Sequence, residues 1–175
     1  MANPQAVDPV KIFVAVLWTE PDSLQKAIAQ LVVQWGEIDF SGADYAFDMT
    51  DYYEPEMGRE LKRRLVSFKK LASPDFLSPA KHACNAIEDG LSGRRGRTVN
   101  LDIGYLDHGK IVLASFKGAG QKIYLANGVW ADMVARYRGG RYCAFEWTFP
   151  DFSDGRYDRE LIQIRRIYIQ QLRNK

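Results

Sequence analysis

A chain of 175 residues with 24 lysines and arginines against 22 acids carries a formal charge of +2, so no global field marks it as a binder of nucleic acid or membrane surface. Its apolar and aromatic content excludes wholesale disorder, and its length suits a single domain, 1–175, with a core of its own. Cys84 and Cys143 stand alone and, with His82 and His108, lack the spacing of a metal site; two separate thiols suit a reducing, cytoplasmic compartment and small core positions.

The N-terminal MANPQAVDPV has neither the basic nor the apolar region of a signal peptide and reads as a loose lead-in over 1–10. No later run reaches membrane-spanning length, so no membrane partner is expected. Lys11 to Trp18 (KIFVAVLW) is a nearly unbroken apolar run of strand length, the pattern of a central strand buried on both faces. A helix follows, capped by Thr19 or Asp22, with Leu24, Ile28, Leu31, Val32 and Trp35 on one face and Gly36 as its stop. Short strands are expected at 37–40 and 45–48 around a Ser-Gly turn. From Pro55 the spacing predicts a helix whose buried face is Met57, Leu61, Leu65 and Phe68, broken by Ser73-Pro74. Ser78 caps another, with an apolar stripe of Cys84, Ile87 and Leu91 and a wet edge of Lys81, Asn85 and Glu88.

Thr98 to Tyr105 alternates strictly. Val99, Leu101, Ile103 and Tyr105 fall on one side of a strand, and Thr98, Asn100, Asp102 and Gly104 on the other. Asp107-His108-Gly109 is a hairpin turn, 111–116 the partner strand, Gly118-Ala119-Gly120 a turn and 122–125 a further strand. The segment 129–137 has no clean period and fits helix or strand. A strand at 141–149 follows the Arg138-Gly139-Gly140 turn, and Leu161, Ile164, Tyr168 and Leu172 mark a closing helix that ends in Arg173 and Lys175. The order predicts an α+β fold with a mainly antiparallel sheet. A ferredoxin-like βαββαβ unit is extended by further antiparallel strands, and helices pack on the sheet.

The common chemical signatures are absent: no GxxxxGK[ST], no GxGxxG after a strand, no GxSxG, no HExxH. His82 and Cys84, two apart on a predicted helix, point about 200° from one another and form no dyad. Acids and bases in aromatic surroundings remain, and Glu54, Glu56, Lys81, Asn100, Asp102, Lys117 and Lys122 are the candidate ligand-binding residues. Glu56 and Asp102 are candidates to hold a divalent cation such as Mg²⁺ through oxygen, and the lysines to hold phosphate. The plain alternative is the solvated outer face of an antiparallel sheet, which carries such residues anyway.

Three functions fit these residues. One is a small-ligand-binding domain for a nucleotide or other phosphorylated molecule; another is a metal-assisted phosphate hydrolase or transferase built on the same group. The third is an RNA-binding or protein-interaction module, with Tyr105, Phe116 and Tyr124 as a stacking platform beside Arg94, Arg95 and Arg97. The residues name no reaction and no oligomeric state.

YYEPEMG (52–58), KHACNAIE (81–88), TVNLDIGYL (98–106), KIYL (122–125) and WTFPDF (147–152) together resemble an uncharacterised bacterial family, number 4416 of the domains of unknown function, over nearly the whole chain. The resemblance implies a shared polar site. Its motif residues match here at Tyr52, Tyr53, Glu54, Glu56, Gly58, Asn100, Asp102, Gly104, Tyr105, Lys117, Tyr124, Trp147, Pro150 and Asp151, with Lys81, Asn85 and Glu88 on a helix. The chain departs from the pattern at Ile103, where the family tends to have Pro, and at Gln121-Lys122, where it tends to have His-Arg. An amide does not titrate usefully, so a binding role survives the second change better than acid–base work.

Overall fold

The computed structural model of the chain describes residues 3–174; Met1, Ala2 and Lys175, at the far ends of the lead-in and the last helix, lie outside the described residues. Val10–Trp18 forms strand β1, and all nine of its residues are buried, as an apolar run without alternation requires of a strand covered on both faces. Pro21–Trp35 forms helix α1, burying Leu24, Ala27, Leu31 and Trp35 while Val32 stays exposed. Neither Thr19 nor Asp22 caps it: Glu20 holds the cap position, and the Thr19 hydroxyl donates to the Met57 carbonyl at 3.0 Å. Gly36, at φ 85°, turns the chain out of the helix with its N–H on the Val32 carbonyl.

Short strands β2 (Ile38–Ser41) and β3 (Tyr45–Ala46) follow, then a single helical turn, α2 (Glu54–Met57). The helix expected through Leu61, Leu65 and Phe68 does not form. Gly58 (φ 85°) and Glu60 (φ 61°) leave the helical region, and Lys62–Ala72 is an 11-residue strand, β4, hydrogen-bonded to β1. Leu65 to Phe68 are buried in succession, with neighbours on both faces of the sheet, so the helical spacing arises by coincidence; Leu65 and Phe68 in fact lie on opposite faces. Both β2 and β3 pair with β4 and not with each other.

After a 3₁₀ turn at Pro74–Phe76, helix α3 runs over Leu77–Leu91; Ser78 does not cap it but donates its hydroxyl to the Ala126 carbonyl at 2.9 Å. Strands β5 (Val99–Leu106) and β6 (Lys110–Ser115) form the expected hairpin, in which the Asp107 carboxylate accepts the Gly109 and Lys110 N–H groups at 2.8 Å. Then come β7 (Ile123–Ala126), β8 (Val129–Arg138) and β9 (Arg141–Ala144). The ambiguous 129–137 segment is thus strand. The strand expected to reach residue 149 stops at Ala144, because Thr148 Oγ1 accepts the Phe145 N–H (2.9 Å) and donates to the Val134 carbonyl (2.6 Å), folding 145–148 into a turn. Helices α4 (Pro150–Ser153) and α5 (Asp158–Arg173) complete the described chain.

All pairings are antiparallel, in the order β2-β4-β1-β5-β6-β8-β7, with β3 beside β4 and β9 beside β8. The first four are the strands of a ferredoxin-like unit with β1 inside, and its third strand is β4 and not the 45–48 segment. One face packs Val14, Val16, Val66, Leu101 and Ile103 under α1 and α3; the other packs Phe13, Ala15, Leu65 and Leu113 against Leu161, Ile164 and Tyr168 of α5. Cys84 is buried, whereas Cys143 is half-exposed on β9 and no core residue. Among the described residues no helix is long and apolar enough to cross a membrane.

At Gly104 the sheet leaves no room for a side chain. A Cβ there would overlap the Val112 carbonyl oxygen and stand 2.7 Å from Leu113 Cδ2. Gly104→Ala is expected to cost about 1–3 kcal/mol through overpacking, read as a lower urea midpoint at unchanged slope; an unmoved midpoint would contradict that close approach.

A polar face where the sheet parts

β5 pairs with β6 only over Gly104–Leu106, so residues 99–103 present an edge that meets no strand on that side. Helix α3 fills the gap. Lys81 Nζ donates to the Leu101 carbonyl at 3.2 Å, and Glu88 Oε1 accepts the Leu101 N–H at 2.6 Å, so two side chains one helical heptad apart replace a missing strand. Lys81 and Glu88 are therefore buried, not the wet edge their spacing suggests. Burial raises the Glu88 carboxyl above the usual range against the pull of Lys81 and the Leu101 N–H, and burial also pushes the Cys84 thiol up.

On the opposite face of the sheet, Asn100 and Asp102 of β5 share a side with Ser115 of β6 and Trp130 and Asp132 of β8, as the registers require. α5 covers the other half of that face, over Leu106, Ile111 and Ala135. The polar half is bordered by the 50–58 segment and by Phe149–Asp151. Arg63, 3% exposed, crosses β1 beneath them: one Nη is paired with Asp151, the other donates to Asp102 Oδ2 at 3.0 Å, and the guanidinium lies 4.4 Å from the Phe47 ring centre. The Tyr157 hydroxyl donates to the same Asp151 oxygen at 3.0 Å.

Arg97 forms the second junction. It donates to both Glu56 oxygens (2.7 and 3.2 Å) and to Asn100 Oδ1 (2.9 Å), and lies over the Tyr53 ring. This guanidinium holds the Glu56 carboxyl below the usual range, and burial, aided by the Asp102 charge, pushes the Tyr53 phenol up to about 12. Lys117 closes the face from β6: its Nζ donates to the Tyr52 hydroxyl at 3.1 Å, and this contact lowers the pKa of that exposed phenol. Lys122 is held by Asp132 (3.3 Å) and Ser115 Oγ (3.1 Å).

Of the seven candidates, Glu56, Asn100, Asp102 and Lys117 thus converge around Tyr52 and Tyr53, and Lys122 lies on the same face in a buried ion pair. Lys81 sits behind β5 on the α3 side. Glu54 points elsewhere, to the exposed Arg59 at 3.3 Å. As cation ligands Glu56 and Asp102 are already neutralised by guanidiniums, and among the described residues no group of three or more His, Cys, Asp or Glu is gathered. The stacking platform also fails: Tyr105 packs into the α1–α3 core, Phe116 rests on His82, and Tyr124 lies against Trp130 on the opposite face.

Two residues outside the seven candidates organise this face: Arg63, expected on a helix, and Arg97, expected beside a stacking platform. Among the described residues, three buried polar atoms of this face have no protein partner: Asn100 Nδ2, Asp132 Oδ1 and Arg63 Nε. Two hollows lie away from this face, one of about 540 Å³ beside Arg136, Arg138 and Arg141 and one of about 670 Å³ between Pro9, His108 and α5.

Arg63→Met strands the buried Asp151 carboxylate and is expected to cost about 3–5 kcal/mol; adding Asp151→Asn should restore part of it, and full additivity in that cycle would show the pair is not coupled. Glu88 titrates with the opposite sign to a salt-bridged acid. Its folded pKa lies above the unfolded value of about 4.3, so its contribution to stability is complete below that pH and is lost as pH rises toward the folded value. Glu88→Gln keeps an acceptor for Leu101, and its denaturation profile should lack this loss; parallel wild-type and variant profiles would refute it.

A family model described as Domain of unknown function (DUF4416) matches residues 8–168. No match was found among curated proteins or among solved structures. The matched span runs from the lead-in to α5 and includes every residue of the polar face. The chain belongs to this DUF4416 family.

Proposed function

We propose that the polar face is a binding site for a small phosphorylated ligand, a nucleotide or a related molecule. One observation carries the reading. Lys117 reaches the site with a phenol, not a carboxylate, as its partner, next to Arg97 and to the buried Asn100 amide whose Nδ2 has no protein acceptor. The Lys117 ammonium, with no carboxylate partner, suits an oxygen of a phosphate, and Arg97, held by Glu56 and Asn100, orders the site beside it. The unpaired Asn100 donor suits an acceptor on the rest of the ligand, and the Asp102 side chain, a quarter exposed, suits a ligand hydroxyl. Because Glu56 and Asp102 are spent on arginines, charge on the ligand is met by cationic side chains.

Thermal unfolding against nucleotides and sugar phosphates, with and without Mg²⁺, tests this. A ligand at about 100 times its dissociation constant adds about 2.7 kcal/mol, which raises the midpoint of a chain this size by roughly 5–10 °C. Lys117→Ala and Asp102→Asn should abolish the rise, while Lys69→Ala, in an exposed pair with Glu37, should leave it intact. A flat panel, or a rise that survives both site variants, would reject the assignment.

A further inference from the structure

We propose that the β8–β9 hairpin is a second, separate binding surface, for single-stranded nucleic acid. Arg136 stands opposite Cys143 and Arg138 opposite Arg141, so alternation places three guanidiniums on one face of the hairpin; the other face carries Tyr137 and Tyr142, the latter buried in the core. All three arginines are exposed and line the 540 Å³ hollow.

Arg63, Arg64, Arg97 and Arg156 each hold a carboxylate and serve the fold. Arg136, Arg138 and Arg141 form no ion pair with any carboxylate among the described residues, including the neighbouring exposed Glu146. Like charges directly opposite one another in an antiparallel pair destabilise it, so the hairpin gains nothing from Arg138 facing Arg141. A Gly139-Gly140 turn, at φ 59° and 85°, brings that pair to the tip.

Two residues beyond Cys143, on the same face, lies Phe145. Its ring is stacked on Trp147 at 4.7 Å with 4° between the planes, and the Arg136 guanidinium is 6.0 Å from its centre. The row runs about 13 Å from Arg141 to Phe145 at a strand's rise. Unpaired guanidiniums suit phosphates, and a partly exposed aromatic pair in line with them suits stacked bases; a lipid headgroup or free phosphate would use only the first.

Anisotropy of labelled 15-nucleotide oligo-uridine and oligo-thymidine with the full chain, across a salt series, decides it. Binding should weaken as salt rises, and Arg138→Ala/Arg141→Ala should weaken it at least tenfold and lower the log–log salt slope by about 1.4, some 0.7 per lost phosphate contact. The thermal midpoint of that variant should be no lower than the parent's, since a repulsive pair is removed. Trp147→Leu should weaken oligonucleotide binding and leave inorganic polyphosphate unaffected. No binding at low salt, an unaffected double variant, or equal binding of polyphosphate or anionic vesicles would overturn the proposal. Lys117→Ala should leave oligonucleotide affinity unchanged, which separates failure here from failure of the small-ligand site.

Discussion

The buried guanidinium of Arg63 is the constraint on which the polar face depends. A cation that deep requires carboxylates, and the two it takes come from Asp102, 39 residues along the chain, and Asp151, 88 residues along. Satisfying them brings α4 down over the sheet and fixes Asp102 from the side of β4. Arg97 does the same from the other side, fixing Asn100 and Glu56. Two runs result, Asp151–Arg63–Asp102 and Glu56–Arg97–Asn100, and within each the arginine holds the side chains on either side. A pre-set row of this kind presents donors and acceptors without further ordering on binding.

The second determinant is the parting of β5 from β6. In an ordinary antiparallel ladder the Leu101 peptide would bond to the next strand. Here α3 supplies both partners, and the same helix gives Cys84 and Ile87 to the core. Freed from β5 beyond Leu113, the end of β6 continues into Phe116 and Lys117. Phe116 lies against His82 of α3 and Lys117 against Tyr52, so consecutive residues serve the two sides of the sheet.

How much of this was legible follows from what each signal measures. The alternation of 98–105 reports two unlike faces, and both faces are as expected: Val99, Leu101 and Ile103 in the core, Asn100 and Asp102 on the polar side. The family resemblance marked Tyr52, Glu56, Lys117 and Asp151, which do converge. β4 was hidden because burial on both faces erases alternation. β8 was ambiguous because a bulge lies in its pairing with β6, where Ile111 faces Ala135 but Val112 faces Met133; the extra residue reverses the period. Lys81 and Glu88 looked solvated because no local pattern shows that an unpaired strand lies beside a helix. The role of Arg97 was hidden because its partner Glu56 is 41 residues away.

The occupation of the Leu101 peptide by Lys81 and Glu88 also bears on solubility. A strand edge exposed in mid-sheet is a template on which a second chain can nucleate cross-strand pairing, the first step of domain swapping or fibre growth. With its amide and carbonyl at Leu101 already taken, an intruding segment would find the ladder interrupted in its middle and two charged side chains to displace. The gap in the sheet is thereby closed to foreign backbone. The burden of edge protection passes to β7, whose four exposed residues, Ile123 to Ala126, carry no charge to repel such a visitor.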